Sequence, residues 1–371
     1  MGNYQEAVTY TEVCDQYPKW RVLAQDLKDN AKKHEAFLAP LLAKKDLRIV
    51  LTGAGTSAFV GETAAPAIAR ATGRRVEVVA TTTIVSNPRE SFAQDVPTLV
   101  VSFARSGNSP ESLAATKLAD QCLSEVYHLV LTCAPEGELA VGRKDKDNSL
   151  VVLMPEGSND KGFAMTSSFT CMLLSCLVLL GAGEADLLNR VADAAEYVVN
   201  EKQEDIKALA DKLPKRVVYL GSGSLHGLAH EAGLKFLELT AGDHVSFYES
   251  SMGFRHGPKA VIDETTQCFV FVSSDPYTRQ YDLDIVNELR GNLGTDAVLA
   301  LAGKELDLEN AWVWPGLADV PDAFVAAVHV IVAQFMGVFT SAALDKNVDN
   351  PFPAGDVNRV VQGVIIHELE D

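Results

Sequence analysis

The chain has 371 residues, and its 50 Asp and Glu residues outnumber 32 Lys and Arg residues, which gives a formal net charge of −18 at pH 7. A charge of this sign repels the backbone of nucleic acids and the surface of anionic membranes, so we expect neither as a partner. With 47% hydrophobic and 22% charged residues, the composition is typical of a globular protein and excludes disordered and fibrous chains.

The cysteines and the N-terminal segment indicate the compartment. The six cysteines form no Cys-x-x-Cys pair, which argues against a zinc site and against a secreted disulfide framework. The N-terminal segment lacks the basic and apolar regions of a signal peptide. The most apolar run, residues 171–180, is much shorter than the ~20 residues needed to span a bilayer. We therefore expect a cytoplasmic protein.

In chain order, residues 1–44 are predicted as a helical N-terminal extension, after which short β-branched runs alternate with longer helical stretches. The predicted strands lie within residues 47–55 and 215–223 and at Val76–Ala80, Thr98–Phe103, Tyr127–Thr132, Ser149–Leu153, Cys268–Val272, Ala297–Ala302 and Ala311–Trp314. The predicted helices are Phe59–Ala71, Pro110–Cys122, Met165–Leu180, Leu225–Thr240, Asp275–Leu289 and Pro321–Leu344. This alternation predicts an α/β fold of two doubly wound parallel sheets with helices on both faces.

The two halves of the chain look like copies of one unit. A basic residue, a β-branched run and Gly-x-Gly occur both at Leu47–Gly55 and at Lys215–Gly223, and a second strand-like run follows each at a similar distance. We therefore predict a first α/β domain at residues 45–190, a linker helix at 191–213, and a second α/β domain with a C-terminal tail at 214–371.

The first polar loop, TGAGTS at residues 52–57, lies between a predicted strand and a predicted helix. Its glycines let the backbone approach a ligand, and the positive end of the helix dipole favours an anion. The pattern Gly-x-Gly-x-x-Gly is not completed, so a dinucleotide is not favoured, and the nucleoside triphosphate motif is absent. A tight turn with Thr56 or Ser57 as helix N-cap is an equally simple interpretation.

A second polar loop, ARSGNSPES at residues 104–112, follows the next long strand and precedes a helix. It gathers one arginine, an amide and several hydroxyls where parallel sheets place their ligands. Ser109 followed by Pro110 is also typical of an N-cap and the first helical residue. Taken together, the two loops predict a phosphate cradle of neutral donors plus Arg105.

A third group lies on the predicted helix of the second half. Glu231, Lys235 and Glu238 have the spacing of residues on one helix face. On a solvated helix this is simply a stabilising charge ladder. The sequence then continues to Arg255-His256-Gly257-Pro258, and a glutamate base with a histidine of near-neutral pKa suffices for moving protons between sugar carbons.

These motifs, in this order, resemble the tandem sugar isomerase (SIS) domains of glucosamine-6-phosphate synthase. The segments FAMTSSFT, ELTAGD, GFRHGPK, PYTRQYDLD and VNRVVQGVIIH are more similar still to the bacterial D-galactosamine-6-phosphate deaminase/isomerase family, also called tagatose-6-phosphate ketose/aldose isomerases. The resemblance runs from about residue 20 to the C-terminus and implies two tandem SIS domains.

The resemblance also implies the site residues. The substrate- and phosphate-binding set is Gly55, Thr56, Ser57, Arg105, Ser106, Asn108, Ser109, Thr166 and Gln362. Glu238 corresponds to the glutamate that moves a proton between C1 and C2, and Lys235 to the active-site lysine. His256 corresponds to a ring-opening histidine that the neighbouring subunit contributes, which implies a homodimer or a higher oligomer. Gln362 stands where the synthase has a lysine in its C-terminal tail.

The implied reaction converts D-galactosamine 6-phosphate into D-tagatose 6-phosphate and ammonia, with no metal or organic cofactor. The synthase carries a nucleophilic cysteine after Met1 for its glutaminase reaction, and this chain has Gly2, so we expect chemistry directed towards free ammonia. A non-deaminating aldose/ketose isomerase of hexose 6-phosphates is an alternative with the same base and cradle. A sugar-phosphate-sensing regulator is another, although it needs neither Glu238 nor His256.

Overall fold

The computed structural model describes residues 4–361 and 363–370, so Gln362 lies outside the described residues. The chain divides into two compact units. The first unit comprises Lys19–Asp160, Ser167–Ala185 and Val357–Asp371, and the second comprises Met1–Pro18, Lys161–Thr166 and Asp186–Asp356. The predicted domain limits at residues 45–190 and 214–371 stay predictions from the sequence.

Helices fill most of the N-terminal region, as the sequence predicts. They are α1 at Val8–Cys14, α2 at Gln16–Asp29 and α3 at Ala31–Leu42. In the first unit, the indole of Trp20 on α2 is completely buried, and its Nε1 donates a hydrogen bond to Thr170 Oγ1 at 3.0 Å. A buried indole needs such an acceptor because its N–H would otherwise lose its hydration without compensation.

The first unit is built on a parallel sheet. Its strands are β1 Arg48–Thr52, β2 Val76–Val78, β3 Thr98–Ala104, β4 Val126–Thr132 and β5 Ser149–Leu153. Its further helices are α4 Thr56–Thr72, α5 Thr81–Ser86, α6 Pro88–Ser91, α7 Pro110–Cys122, α8 Glu138–Arg143 and α9 Ser167–Leu179. The strands pair in parallel in the order β2-β1-β3-β4-β5, and β3 is buried along its whole length, as is typical of a central strand covered on both faces.

The second unit is built on an equivalent sheet. Its strands are β6 Arg216–Gly221, β7 Val245–Glu249, β8 Thr266–Val272, β9 Val298–Ala302 and β10 Ala311–Val313. Its longer helices are α10 Leu187–Glu201, α11 Gln203–Ala210, α12 Ser224–Leu239, α13 Thr278–Leu293 and α14 Asp322–Ala343. The order β10-β9-β8-β6-β7 repeats that of the first sheet, and every pairing is parallel. The predicted α/β fold with two parallel sheets is confirmed.

Each sheet turns from its first strand into a helix in the same way. The N-cap residues Gly55 and Gly223 have φ of 54° and 58° with ψ of −130° and −124°, which is accessible to glycine and strained for other residues. A side chain at Gly53 or Gly221 would meet the backbone of the following helix at 2.5 Å. The Gly-x-Gly pattern therefore has a steric cause in both units.

Two features of the second unit differ from the sequence prediction. The edge strand β7 is absent from the predicted strands, because its residues are only partly buried and its run is short. The linker helix predicted at 191–213 is two helices, α10 and α11. One side of α10, including Val191, Ala195 and Val198, is completely buried, so this stretch contributes to the core of the second unit.

Helix α14 is long and apolar enough, by length and composition alone, to cross a membrane, and it is the one such helix among residues 4–361 and 363–370. Every residue of α14 from Ala323 to Ala342 is buried. It packs against α10, α11 and α12. A side chain at Gly337 would meet Leu239 of α12 at 2.7 Å, so the glycine allows a close approach of these two helices.

A charged group fastens α7 to its neighbours in the first unit. Asp120 accepts hydrogen bonds from His128 of β4 at 2.8 Å and from Arg143 of α8 at 2.5 Å. Burial raises the pKa of Asp120, but the hydrogen bonds from His128 and Arg143 outweigh burial and bring that pKa down to about 2. Because the folded pKa lies below the ordinary value of 3.8, ionised Asp120 stabilises the fold above that pH.

We expect Asp120→Asn to lower the free energy of unfolding at pH 7 by roughly 1–2 kcal/mol. This is the usual contribution of a hydrogen bond to a charged group, reduced because Asp120 is partly exposed to solvent. The wild-type protein should lose this contribution as the pH falls from about 4 to about 2, while the variant should not. Urea unfolding at a series of pH values measures both. Asp147→Asn, at an exposed position, is the control, and an acid dependence in Asp120→Asn equal to that of wild type would contradict the assignment.

Candidate active site

The two predicted cradle loops follow neighbouring strands of the first sheet. Strands β1 and β3 pair in parallel with Thr52 opposite Ser102, so both loops leave the sheet at the same edge. Thr56 and Ser57 form the start of α4 and are 4% and 6% exposed. The N-cap is Gly55, so the alternative in which Thr56 or Ser57 caps the helix is wrong. The positive end of α4 faces this edge.

The loop after β3 is held by polar contacts of its own. Ser106 Oγ accepts a hydrogen bond from the Asn108 amide at 3.3 Å, and Asn108 Oδ1 accepts one from the Glu138 amide at 2.9 Å. Ser109 occupies the N-cap of α7, as the alternative interpretation expected, and its hydroxyl lies 2.6 Å from the Ser112 hydroxyl. The loop thus has a defined shape that presents hydroxyl and amide groups.

Arg105 is the positively charged residue of the predicted phosphate cradle. Its side chain is 7% exposed, and Nη2 donates a hydrogen bond to the Arg359 carbonyl at 2.7 Å. Arg359 in turn donates to the carbonyl of Asp160. The C-terminal segment around residue 359 therefore reaches the cradle within the first unit, a connection that the sequence did not reveal.

The remaining predicted binding residue, Thr166, is completely buried and belongs to the second unit. The adjacent segment is held on both sides by carboxylates. Glu12 accepts hydrogen bonds from the Lys161 amide at 2.5 Å and the Gly162 amide at 3.1 Å within the second unit. In the first unit, Asp160 accepts from the Ser167 and Ser168 amides at 3.0 and 2.9 Å, which caps α9.

The predicted catalytic residues of helix α12 lie on one face. Lys235 Nζ is 2.6 Å from Glu238 Oε2 and 3.6 Å from Glu231 Oε1. The side chains of Glu231 and Lys235 are 0% and 1% exposed, whereas that of Glu238 is 23% exposed. The alternative of a solvated charge ladder is therefore wrong for Glu231 and Lys235.

This burial gives the α12 group its chemistry. Charges removed from water interact more strongly than surface charges, and they persist only when paired. Lys235 is enclosed between the two carboxylates, and of those two it is Glu238 that reaches solvent. A group of this kind presents one carboxylate outward and holds it in place with a buried ammonium group.

His256 lies on the loop that follows β7 in the second unit. It is exposed and directly follows the short 3-10 turn Gly253–Arg255, and its amide donates to the Gly253 carbonyl at 2.9 Å. Among the described residues, no hydrogen bond joins His256 to Lys235 or Glu238. The structure therefore brings together Lys235 and Glu238 but not the histidine.

The strand-end loops of the second sheet are filled by carboxylates that the sequence analysis did not single out. Asp282 of α13 accepts hydrogen bonds from the Ser222 hydroxyl after β6 and the Ser273 amide after β8, at 2.6 and 3.0 Å. Asp322 accepts from the Ser274 amide at 2.8 Å and from the Ser273 hydroxyl at 2.5 Å. The hydroxyl and amide donors at this end of the second sheet therefore bind Asp282 and Asp322. The corresponding loops of the first sheet form the predicted phosphate cradle.

Cysteine and metal chemistry have little support in the part of the chain that the structure describes. All six cysteines are unpaired, and no group of three His, Cys, Asp or Glu side chains among residues 4–361 and 363–370 has the geometry of a metal site. Burial raises the pKa of Cys133 and of Cys268 to about 12, so neither thiol is a nucleophile at neutral pH.

Comparison with known proteins connects this geometry with a family. The model of the SIS domain matches residues 41–182. A protein of Streptomyces coelicolor, provisionally named D-galactosamine-6-phosphate deaminase AgaS, is 52% identical over 98% of this chain and 96% of its own length. The D-galactosamine-6-phosphate deaminase AgaS of Shewanella sp. strain ANA-3 is 42% identical over 97% of this chain and 91% of its own.

Among solved structures, the tagatose-6-phosphate ketose/aldose isomerase from Escherichia coli is similar with a TM-score of 0.90 and 39% sequence identity. The match covers 100% of this chain and 99% of the solved one. Agreement in sequence and fold over nearly the full length of each chain is enough to assign the family. The chain therefore belongs to the SIS-domain family whose members are named D-galactosamine-6-phosphate deaminase AgaS.

Proposed function

We propose that the protein is a deaminating isomerase that converts D-galactosamine 6-phosphate and water into D-tagatose 6-phosphate and ammonia. The observation that carries this proposal is the Lys235–Glu238 pair, in which a buried ammonium group lies 2.6 Å from a partly exposed carboxylate. A carboxylate fixed in this way is suited to accept and return a proton. The names of the family members supply the substrate.

The proposed steps begin with the open-chain aldehyde of the sugar. Glu238 removes the proton from C2 while the aldehyde oxygen takes up a proton from solvent, which gives an enolamine with a double bond between C1 and C2. Glu238 then returns its proton to C1, and the nitrogen at C2 releases a proton to solvent. The resulting ketimine at C2 takes up water, and ammonia leaves as the ketone forms. The Lys235 ammonium group, 2.6 Å from Glu238, holds the carboxylate in place before the first transfer and after the second. Proton transfer and water account for every step, so the scheme assigns none to a cofactor.

We assign phosphate binding to the cradle of the first unit. Its hydroxyl groups, the positive end of α4 and Arg105 are suited to a phosphate dianion. The equivalent loops of the second sheet carry Asp282 and Asp322 instead, and a carboxylate repels phosphate. This contrast supports one phosphate site in each chain.

The test is incubation of the purified protein with D-galactosamine 6-phosphate, D-glucosamine 6-phosphate and D-tagatose 6-phosphate, with ammonia and sugar products measured separately. We expect ammonia and tagatose 6-phosphate in equal amounts from the first substrate. Sugar interconversion without ammonia would instead support a plain aldose/ketose isomerase. Tight binding without turnover of any of the three sugars would support a sensor.

We assign ring opening to His256, acting in the site of a neighbouring subunit of a homo-oligomer. The exposed position of His256 supports this assignment, as does the lack, among the described residues, of a hydrogen bond from His256 to Lys235 or Glu238. His256→Ala should lower turnover of the closed-ring sugar about a hundredfold, and turnover of an open-chain analogue much less. Steady-state kinetics on both compounds measures the difference, with His367→Ala as the control. Equal losses on the two compounds, or a fully active monomer in sedimentation, would argue against it.

We place this activity in the cytoplasm. The six cysteines are unpaired, and an intracellular reducing compartment keeps thiols in that state. The strongly acidic composition also disfavours association with anionic membrane surfaces. Both properties agree with an enzyme of small phosphorylated sugars.

A further inference from the structure

A buried carboxylate connects three loops at the end of the second sheet. Asp282 of α13 is 0% exposed, and it accepts hydrogen bonds from the Ser222 hydroxyl at 2.6 Å, the Ser251 hydroxyl at 2.5 Å and the Ser273 amide at 3.0 Å. These donors come from the loops that follow β6, β7 and β8. Burial raises the pKa of Asp282, and the three donors act in the opposite direction because they favour the charged form.

The loop after β7, residues 250–257, is the one that carries His256. It is attached to α13 at several points besides Ser251. Phe254 is completely buried in a core cluster that contains Ile285 and Leu289 of α13. Next to the histidine, Arg255 Nε lies 2.7 Å from Glu288 of the same helix. Helix α13 is therefore the platform on which this loop rests.

The contacts between this loop and α13 differ in how much they stabilise the position of the loop. The pair of Arg255 and Glu288 is partly exposed, with side chains 28% and 34% accessible, and a pair of that kind contributes little. The hydrogen bond from Ser251 to Asp282 is completely buried, where an unmade bond is costly. The Ser251 hydroxyl is therefore the polar contact that fixes the start of the His256 loop.

We propose that Asp282 is a positioning residue for catalysis, acting through Ser251 to set the orientation of the loop that carries His256. The proposal deepens the function proposed above and rests on it for the role of His256. Asp282 touches no reacting atom in this scheme. It replaces, in the second unit, the bound anion that the equivalent loops of the first unit are suited to receive, and it thereby keeps the second set of loops permanently ordered.

Ser251→Ala tests this connection, because it removes one hydroxyl and leaves the buried carboxylate with its two other donors. We expect kcat to fall about ten- to a hundredfold, since a displaced catalytic group loses its geometry, while KM for the sugar phosphate stays within about twofold. Ser251→Thr, which keeps the hydroxyl, should restore most of kcat. Asp282→Asn should resemble Ser251→Ala.

Asp322→Asn is the matched control. Asp322 also accepts hydrogen bonds from serine groups at this sheet end, but these donors belong to Ser273 and Ser274 and not to the His256 loop. Its kcat should stay within about twofold of wild type. Equal losses of kcat in Asp322→Asn and Ser251→Ala would overturn the proposal, because the effect would then belong to the whole sheet end.

Hydrogen exchange read by mass spectrometry tests the loop without any substrate. Peptides covering residues 250–257 should exchange faster in Ser251→Ala and Asp282→Asn than in wild type, and at the wild-type rate in Asp322→Asn. Unchanged exchange and unchanged kcat in Ser251→Ala would overturn the proposal. If the wild-type protein released no ammonia, the proposed function would fail by itself, and the exchange rates would still decide whether Asp282 fixes this loop.

Discussion

Replacing Glu238 by glutamine is expected to lower ammonia release from D-galactosamine 6-phosphate by about a hundredfold or more, the usual contribution of a positioned acid–base group. Glutamine has nearly the same shape and accepts a hydrogen bond from Lys235, but it cannot take up the C2 proton. Affinity for the sugar phosphate should change little, because phosphate binding is assigned to the first unit. Single-turnover ammonia release and equilibrium binding of the substrate measure the two quantities.

Glu201→Gln on α10 is the matched control for this variant, because it removes an exposed carboxylate from the same unit. It should retain wild-type turnover. Turnover in Glu238→Gln close to that of Glu201→Gln would remove Glu238 from the mechanism. A loss of binding as large as the loss of turnover would show that Glu238 holds the sugar rather than moving its proton.

Of the variants proposed for this protein, Lys235→Met is expected to lower the free energy of unfolding the most. The variant leaves the Glu231 carboxylate, which is 0% exposed, without the ammonium group 3.6 Å away. Breaking a buried ion pair by removing one partner costs roughly 3–5 kcal/mol. The free energy of unfolding in urea measures this loss, and hydrogen exchange should accelerate in α12.

The double variant Glu231→Gln with Lys235→Met tests whether the two groups depend on each other. Because it also removes the buried negative charge, it should be more stable than Lys235→Met alone, so the two changes should not be additive. Additive losses would show that Glu231 is compensated by other groups of the second unit. Activity should stay low in both variants, since Lys235 also holds Glu238 in place.

Much of the fold could be predicted because parallel α/β sheets leave a strong pattern in the sequence. The apolar run of β3 and the Gly-x-Gly turns at Gly53 and Gly221 have direct physical causes, namely burial on both faces and steric exclusion of a side chain. Strand β7 gave no such signal, because an edge strand that is half exposed carries no continuous apolar run. The short helix α8 lacked the length needed for a helical period.

The candidate site could be predicted in its composition but not in its environment. The spacing of Lys235 and Glu238 places them on one helix face, yet the same spacing is common on solvated helices. Only the packing of α14 on α12 shows that Lys235 is buried. The role of Asp282 could not be predicted for a similar reason. Its hydrogen-bond partners come from loops that are distant in sequence and meet only in the folded sheet.

The burial of α14 also sets the order in which the second unit can be completed. This helix covers α10, α11 and α12, but it is synthesised after every strand of its sheet. Until Ala343 has left the ribosome, the apolar surfaces that α14 covers face water, and they are a target for chaperones. We expect any truncation that removes α14 to expose these surfaces permanently and to promote aggregation.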